Sequence, residues 1–149
     1  MSEHRASIRW TRGDTPFEYQ RYPRDHTWEF DGGQRIAASA APGYLGSEQA
    51  VDPEEALVAA LSSCHMLTLL AIAARKGWTV DRYEDDAAGI LEKNADGRLA
   101  VTRVTLRPTI VFADGAAPDA DALARLHAQA HEHCFIANSV KTEVEIVPL

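Results

Sequence analysis

Only two cysteines occur among the 149 residues, too few for the dense crosslinking that holds small secreted domains together. A basic surplus is also missing: 15 Lys and Arg stand against 22 Asp and Glu, for a net charge of −7. Without a cationic face, binding to nucleic-acid phosphates is not expected. The first thirty residues interleave charged and aromatic side chains and lack the apolar stretch of a secretory signal, so a cytoplasmic location is expected. The longest uncharged stretch, Ala56 to Ala74, is interrupted by Ser62, Ser63, Cys64, His65 and Thr68. That pattern suits a buried helix rather than a membrane span. Internal repeats and low-complexity segments are lacking too.

What is present suffices for one domain over residues 1–149. A chain of this length with 46% hydrophobic residues can bury one real core. Short alternating runs fill the N-terminal third, at Ser7 to Arg12, Phe17 to Tyr22, His26 to Asp31 and Gln34 to Ser39, and predict strands with Gly32-Gly33 as a tight turn. Ala41 to Gly46 predicts a loop. The clearest helix signal starts at Asp52, with Asp as N-cap, Pro53 first in the helix, and Glu54 and Glu55 in the first turn. Arg75-Lys76-Gly77 closes it, the cations at the negative dipole end and glycine at the left-handed cap. Apolar residues between these caps cover nearly every face, which predicts a central helix.

Two strand-like runs follow, Thr79 to Leu91 and Leu99 to Phe112, joined as a hairpin by the turn-forming Asn94-Ala95-Asp96-Gly97. Pro118 and Asp119 introduce a second helix through His133, and alternation from Val140 to Ile146 predicts a last strand. Strands, helix, hairpin, helix and strand make an α+β fold.

Cys64 falls near the middle of the first helix and Cys134 at the end of the second. Should the helices pack together, the sulfurs can meet, provided their Cα atoms approach to about 5.5–6 Å. Two buried thiols between apolar helices need no function. Polar company argues for reactivity here: Ser62, Ser63 and His65 flank one thiol, and His131, His133, Asn138 and Ser139 surround the other.

Asp52-Pro53-Glu54-Glu55 with Cys64 ten residues after Glu54, then Ala130-His131-x-x-Cys134 with Asn138 downstream, resembles the OsmC/Ohr family of hydroperoxide-reducing proteins, from about residue 7 to the C-terminus. Phe135 stands where family members often carry proline, and His65-Met66 after Cys64 is more similar to an OsmC-related branch than to Ohr proper. The resemblance implies antiparallel sheets around a long central helix and an intertwined homodimer with active sites at the interface. It also implies a peroxidatic Cys64, a resolving Cys134, no cofactor, an organic hydroperoxide as substrate, and a dithiol reductant such as a lipoylated protein.

Chemistry adds a requirement. A thiol with pKa about 8.5 is only roughly 3% thiolate at pH 7, and burial lowers that share. Thiolate is the nucleophile, and a mid-helix cysteine gains nothing from the N-terminal dipole, so a cation is needed. The family supplies an arginine held by the glutamate after the helix-starting proline. These roles map to Arg24, with Arg21 as the alternative, and to Glu54. Ten helical residues span about 15 Å, so Glu54 and Cys64 of one helix do not share a small site directly; either Arg24 bridges outward or the partner subunit provides Glu54. Met66, Leu67 and Phe135 are expected to line an apolar pocket.

Two other readings stand beside this one. His127, His131 and Cys134 share one helix face at i, i+4 and i+7, and with His65 and Cys64 opposite could bind zinc. Alternatively, the fold serves a redox sensor or small-ligand binder without efficient turnover.

Overall fold

The capping sequence at Asp52 does what its composition predicts. In the computed structural model, which describes Met1 to Leu149 throughout, helix α1 runs over Pro53–Arg75. The Glu55 amide donates to Asp52 Oδ1 at 2.8 Å and the Asp52 amide to Glu55 Oε2 at 3.2 Å, a reciprocal capping box. At the other end Gly77, with φ +75°, lets its own amide reach Ala74 O and that of Trp78 reach Ala73 O. This pair of bonds is a Schellman motif, and it requires the left-handed residue at that position.

The chain forms two compact units, Met1–Ala56 and Leu57–Leu149. In the first, β1 (Ala6–Arg9), β2 (His26–Phe30) and β3 (Arg35–Ala38) make an antiparallel sheet in that order. Gly33 turns the chain between β2 and β3, as expected from Gly32-Gly33. Phe17 to Tyr22, expected as a strand, is a turn instead. The amides of Arg21 and Tyr22 both bond to Glu18 O, and the rings of Trp10, Phe17 and Tyr22 cluster on one another. Aromatic alternation there reflects local ring packing rather than a ladder. The Ala41 to Gly46 loop holds a short 3-10 turn at Pro42–Tyr44, and Gly46 lies so close to the Ala40 carbonyl that a Cβ would sit 1.5 Å from its oxygen.

In the second unit the predicted hairpin is two strand pairs. β5 (Ala88–Lys93) and β6 (Leu99–Leu106) form the hairpin itself, with Asn94 Oδ1 accepting from the amides of Asp96 and Arg98 at the tip. β4 (Val80–Asp85) and β7 (Pro108–Phe112) pair antiparallel in a sheet of their own. Both long runs break at one level. Pro108 has no amide to donate, and the Asp85 carboxylate takes the Arg107 amide at 2.6 Å. Helix α2 (Ala120–Glu132) is capped by Asp119, whose carboxylate accepts from the Ala122 amide at 2.7 Å. β8 (Glu143–Ile146) then joins β6 as a parallel neighbour, giving the order β5-β6-β8.

α1 serves two apolar clusters of this unit. Leu61 packs with Val104 and Leu106 of β6, and Leu69 and Ala73 pack with Leu126 and Ala130 of α2. The buried residues of α1, Leu61, His65, Leu69 and Ala73, recur every fourth position and form one stripe. Its other faces are less covered, and Leu67 is 60% exposed. By length and composition α1 could cross a bilayer, but its buried stripe packs on protein.

Candidate functional site

Between the two apolar clusters, α1 presents Cys64 and His65 side by side in sequence on different faces. Cys64 is half-buried and Cys134 is 1% exposed; both are free thiols. The Cys134 thiol lies close enough to Cys64 for the two to perturb one another, so the packing of α2 against α1 makes the two sulfurs neighbours. Burial pushes the Cys134 thiol up, and the neighbouring Cys64 adds to the effect; backbone amides of Ala137 and Ile136 oppose it. The Ala137 amide lies 3.4 Å from Cys134 Sγ.

Cys134 follows the helix rather than ending it. His133 is the C-cap, and the chain then turns tightly, with the Asn138 amide bonding to Cys134 O at 3.0 Å. Asn138 Nδ2 donates to Glu132 O at 2.9 Å, so the side chain closes an open helical carbonyl. Ser139 Oγ donates to Phe135 O at 2.7 Å. Asn138 and Ser139, two of the polar residues around this thiol, thus brace the loop that holds Cys134. Phe135 is 81% exposed and Leu67 60% exposed, so both apolar side chains face outward from this chain.

His65 behaves differently from its place in the sequence. Its side chain lies in the buried stripe, 1% exposed, with Nε2 3.1 Å from Nδ1 of His127, which is 5% exposed. The two rings are parallel within 3°. Burial, then the neighbouring His127 and His131, push His65 down to about 4, against a weak opposing pull from Asp85; burial lowers His127 as well. Both imidazoles are therefore neutral near pH 7 and supply no positive charge to a thiolate.

Asp85 is not set apart by the sequence around it. Its Oδ2 accepts from Ser62 Oγ at 2.5 Å while Oδ1 takes the Arg107 amide, tying α1 to the level at which the two sheets part. The only sequence signal was an acidic pair, Asp85-Asp86, ending an alternating run. Tyr83, two residues earlier, has a buried hydroxyl, pushed upward by desolvation and then by Asp85.

Arg24 and Glu54 belong to the first unit. The Arg24 guanidinium donates to Tyr22 O and Tyr19 O, each at 2.6 Å, and lies 3.7 Å from the Tyr22 ring centre. Arg21 pairs at 3.6 Å with Glu18. Glu54 makes no ion pair with either arginine, and the capping carboxylate is that of its neighbour Glu55. As for zinc, no three His, Cys, Asp or Glu side chains converge closely enough to hold a metal ion.

Comparison with known proteins agrees with this architecture. The family model described as OsmC-like protein matches residues 46–148. An OsmC-like protein of unknown function from Vibrio cholerae is 52% identical over the full length of both chains, with a TM-score of 0.95. The uncharacterised Bacillus subtilis protein YmaD is 26% identical over 125 residues, 83% of each chain. The organic hydroperoxide resistance protein OhrB of Bacillus subtilis shares the fold at 16% identity and a TM-score of 0.67, over 99% of this chain and 98% of its own. The chain, with one thiol on the central helix and another in the loop after α2, belongs to the OsmC-like family.

Proposed function

We propose that the protein is a cytoplasmic thiol peroxidase that reduces organic hydroperoxides through Cys64 and Cys134. The observation that carries this reading is that the two thiols are neighbours, one half-buried and one buried. The more accessible sulfur, Cys64, meets the peroxide, and the buried one waits beside it. In the cycle, the Cys64 thiolate attacks the outer peroxide oxygen, an S–O bond forms as the O–O bond breaks, and the leaving alkoxide takes a proton to become the alcohol. Cys134 sulfur then attacks the Cys64 sulfenic acid; the disulfide forms and hydroxide leaves as water with the second proton. An external dithiol, such as a lipoylated protein, returns both thiols by exchange. Burial supports the division of labour, because a Cys134 that holds its proton stays out of the first step.

Arg24 is proposed to be the cation that favours the thiolate, and Glu54 to hold it, in its own or the partner subunit. Names among the related structures support the substrate class, since several are organic hydroperoxide resistance proteins. A homodimer fits the open apolar surface at Leu67 and Phe135, which a second copy would cover to complete a substrate pocket.

The test is thiol titration of reduced protein against cumene hydroperoxide and hydrogen peroxide. Both thiols should be lost fastest with the organic peroxide, Cys64→Ser should abolish the reaction, and Cys134→Ser should stop at a sulfenic acid visible by mass. Arg24→Gln should slow the first step at least about tenfold at pH 7, in line with a thiolate fraction lowered by a pKa rise of one unit or more. Inert thiols would overturn the reading; oxidation once, without dithiol-driven turnover, would make the protein a sensor.

A further inference from the structure

α1 and α2 touch at two kinds of place. Most of the contact is apolar, with Leu69 and Ala73 on Leu126 and Ala130. Within this surface lies one buried polar pair, His65 Nε2 to His127 Nδ1 at 3.1 Å. On α2 this point is seven residues before Cys134; on α1 it is the residue next to Cys64. No ion pair joins the two helices.

Apolar surfaces of Leu and Ala tolerate a slip, since burial is not directional. A shift of α2 along α1 by one turn, about 5.4 Å, would bury comparable area. The imidazole pair resists it, because His65 Nδ1 and His127 Nε2 are already buried without a partner, and the shift would orphan the two bonded nitrogens as well, each at a cost in an apolar setting. A buried polar pair in an apolar helix contact acts as a register device in this way. Two neutral rings with one shared hydrogen also suit the role, since they bring no charge that would need solvent. In the observed register Cys134 lies beside Cys64.

We propose that the His65–His127 hydrogen bond is a register pin whose function is to hold Cys134 against Cys64, making both histidines positioning residues for disulfide formation. The proposal rests on the two thiols being neighbours, and its use in catalysis rests on the peroxidase reading given above. Its measurable content is the effective concentration of one thiol at the other, which alignment raises by orders of magnitude.

The experiment is equilibration of the whole protein in glutathione redox buffers. In this reaction two protein thiols give one disulfide, while oxidised glutathione gives two glutathione thiols that carry the protons. No hydroperoxide enters, so a failure of the peroxidase reading leaves the result intact. The double variant His65→Leu with His127→Leu replaces the pair by apolar groups and should keep or raise the unfolding midpoint. Its equilibrium constant for the Cys64–Cys134 disulfide should fall at least about tenfold, which is ~30 mV in potential. The single variants His65→Gln and His127→Asn, which retain a hydrogen-bonding atom near the bonded nitrogen, should stay within about threefold of the parent. A folded double Leu variant with an unchanged constant overturns the proposal. Should that variant not fold, a tenfold fall in both folded Gln and Asn variants would overturn it equally, because a retained hydrogen bond would then not preserve the pairing.

Discussion

A histidine beside a cysteine invites a catalytic reading, and at the residue scale His65 shows why direction matters more than adjacency. One residue is 100° around a helix, so His65 faces the core while Cys64 remains half-buried. Its burial has a consequence for stability. In the fold the imidazole titrates near 4, against an ordinary 6.5, so below pH 6.5 the unfolded chain takes up a proton that the folded chain refuses. Stability is complete above that pH, falls as the pH drops toward 4, and loses nothing further from this group once the folded state is protonated too. The full loss is about 3 kcal/mol for a shift of this size. Urea unfolding followed from pH 7 to pH 4 should show the decline, and the double Leu variant should show a shallower one; parallel curves would mean that His65 is not the group responsible.

At the scale of elements, the helix starts are the most legible part of the molecule because capping is local chemistry. Asp52, Glu55 and Asp119 all form the bonds that their positions predict. Asp52→Ala should lower stability by about 1 kcal/mol in chemical denaturation, as expected for a lost N-cap. Gly46→Ala should cost more, above about 2 kcal/mol, because the added methyl meets backbone that cannot swing aside; an equal or smaller loss would mean that the Ala40 loop yields easily. Strands were less legible. Thr79 to Leu91 alternates well enough for one strand, yet it serves two sheets, since the division depends on Pro108 and Asp85 meeting from distant parts of the chain. Phe17 to Tyr22 alternates as a strand would and is instead a turn with packed rings.

For the whole molecule, the uneven cover of α1 is the main feature. One stripe is buried, while Ala59, Ser63, Leu67 and Ala71 remain open at helical spacing. Leu67→Glu should therefore cost little in the folding of a single chain and much in any association through this face. Light scattering on the parent is expected to give the mass of a dimer, and on the variant that of a monomer. A parent that is monomeric would remove the second subunit from the proposed site, together with its Glu54.

The sequence by itself determined the α+β class, both helices and their caps, the β5-β6 turn, the final strand and the two cysteines as the residues to watch. Each of these depends on spacing within about a dozen residues, where capping, turn chemistry and hydrophobic period act. Tertiary structure decided what packs across the chain: that Cys134 lies beside Cys64, that His65 pairs with His127 rather than serving its neighbour, and that Asp85 joins Ser62 to Arg107. These contacts link residues 22 to 70 positions apart, and local propensity carries no record of which distant side chain will share a buried hydrogen bond.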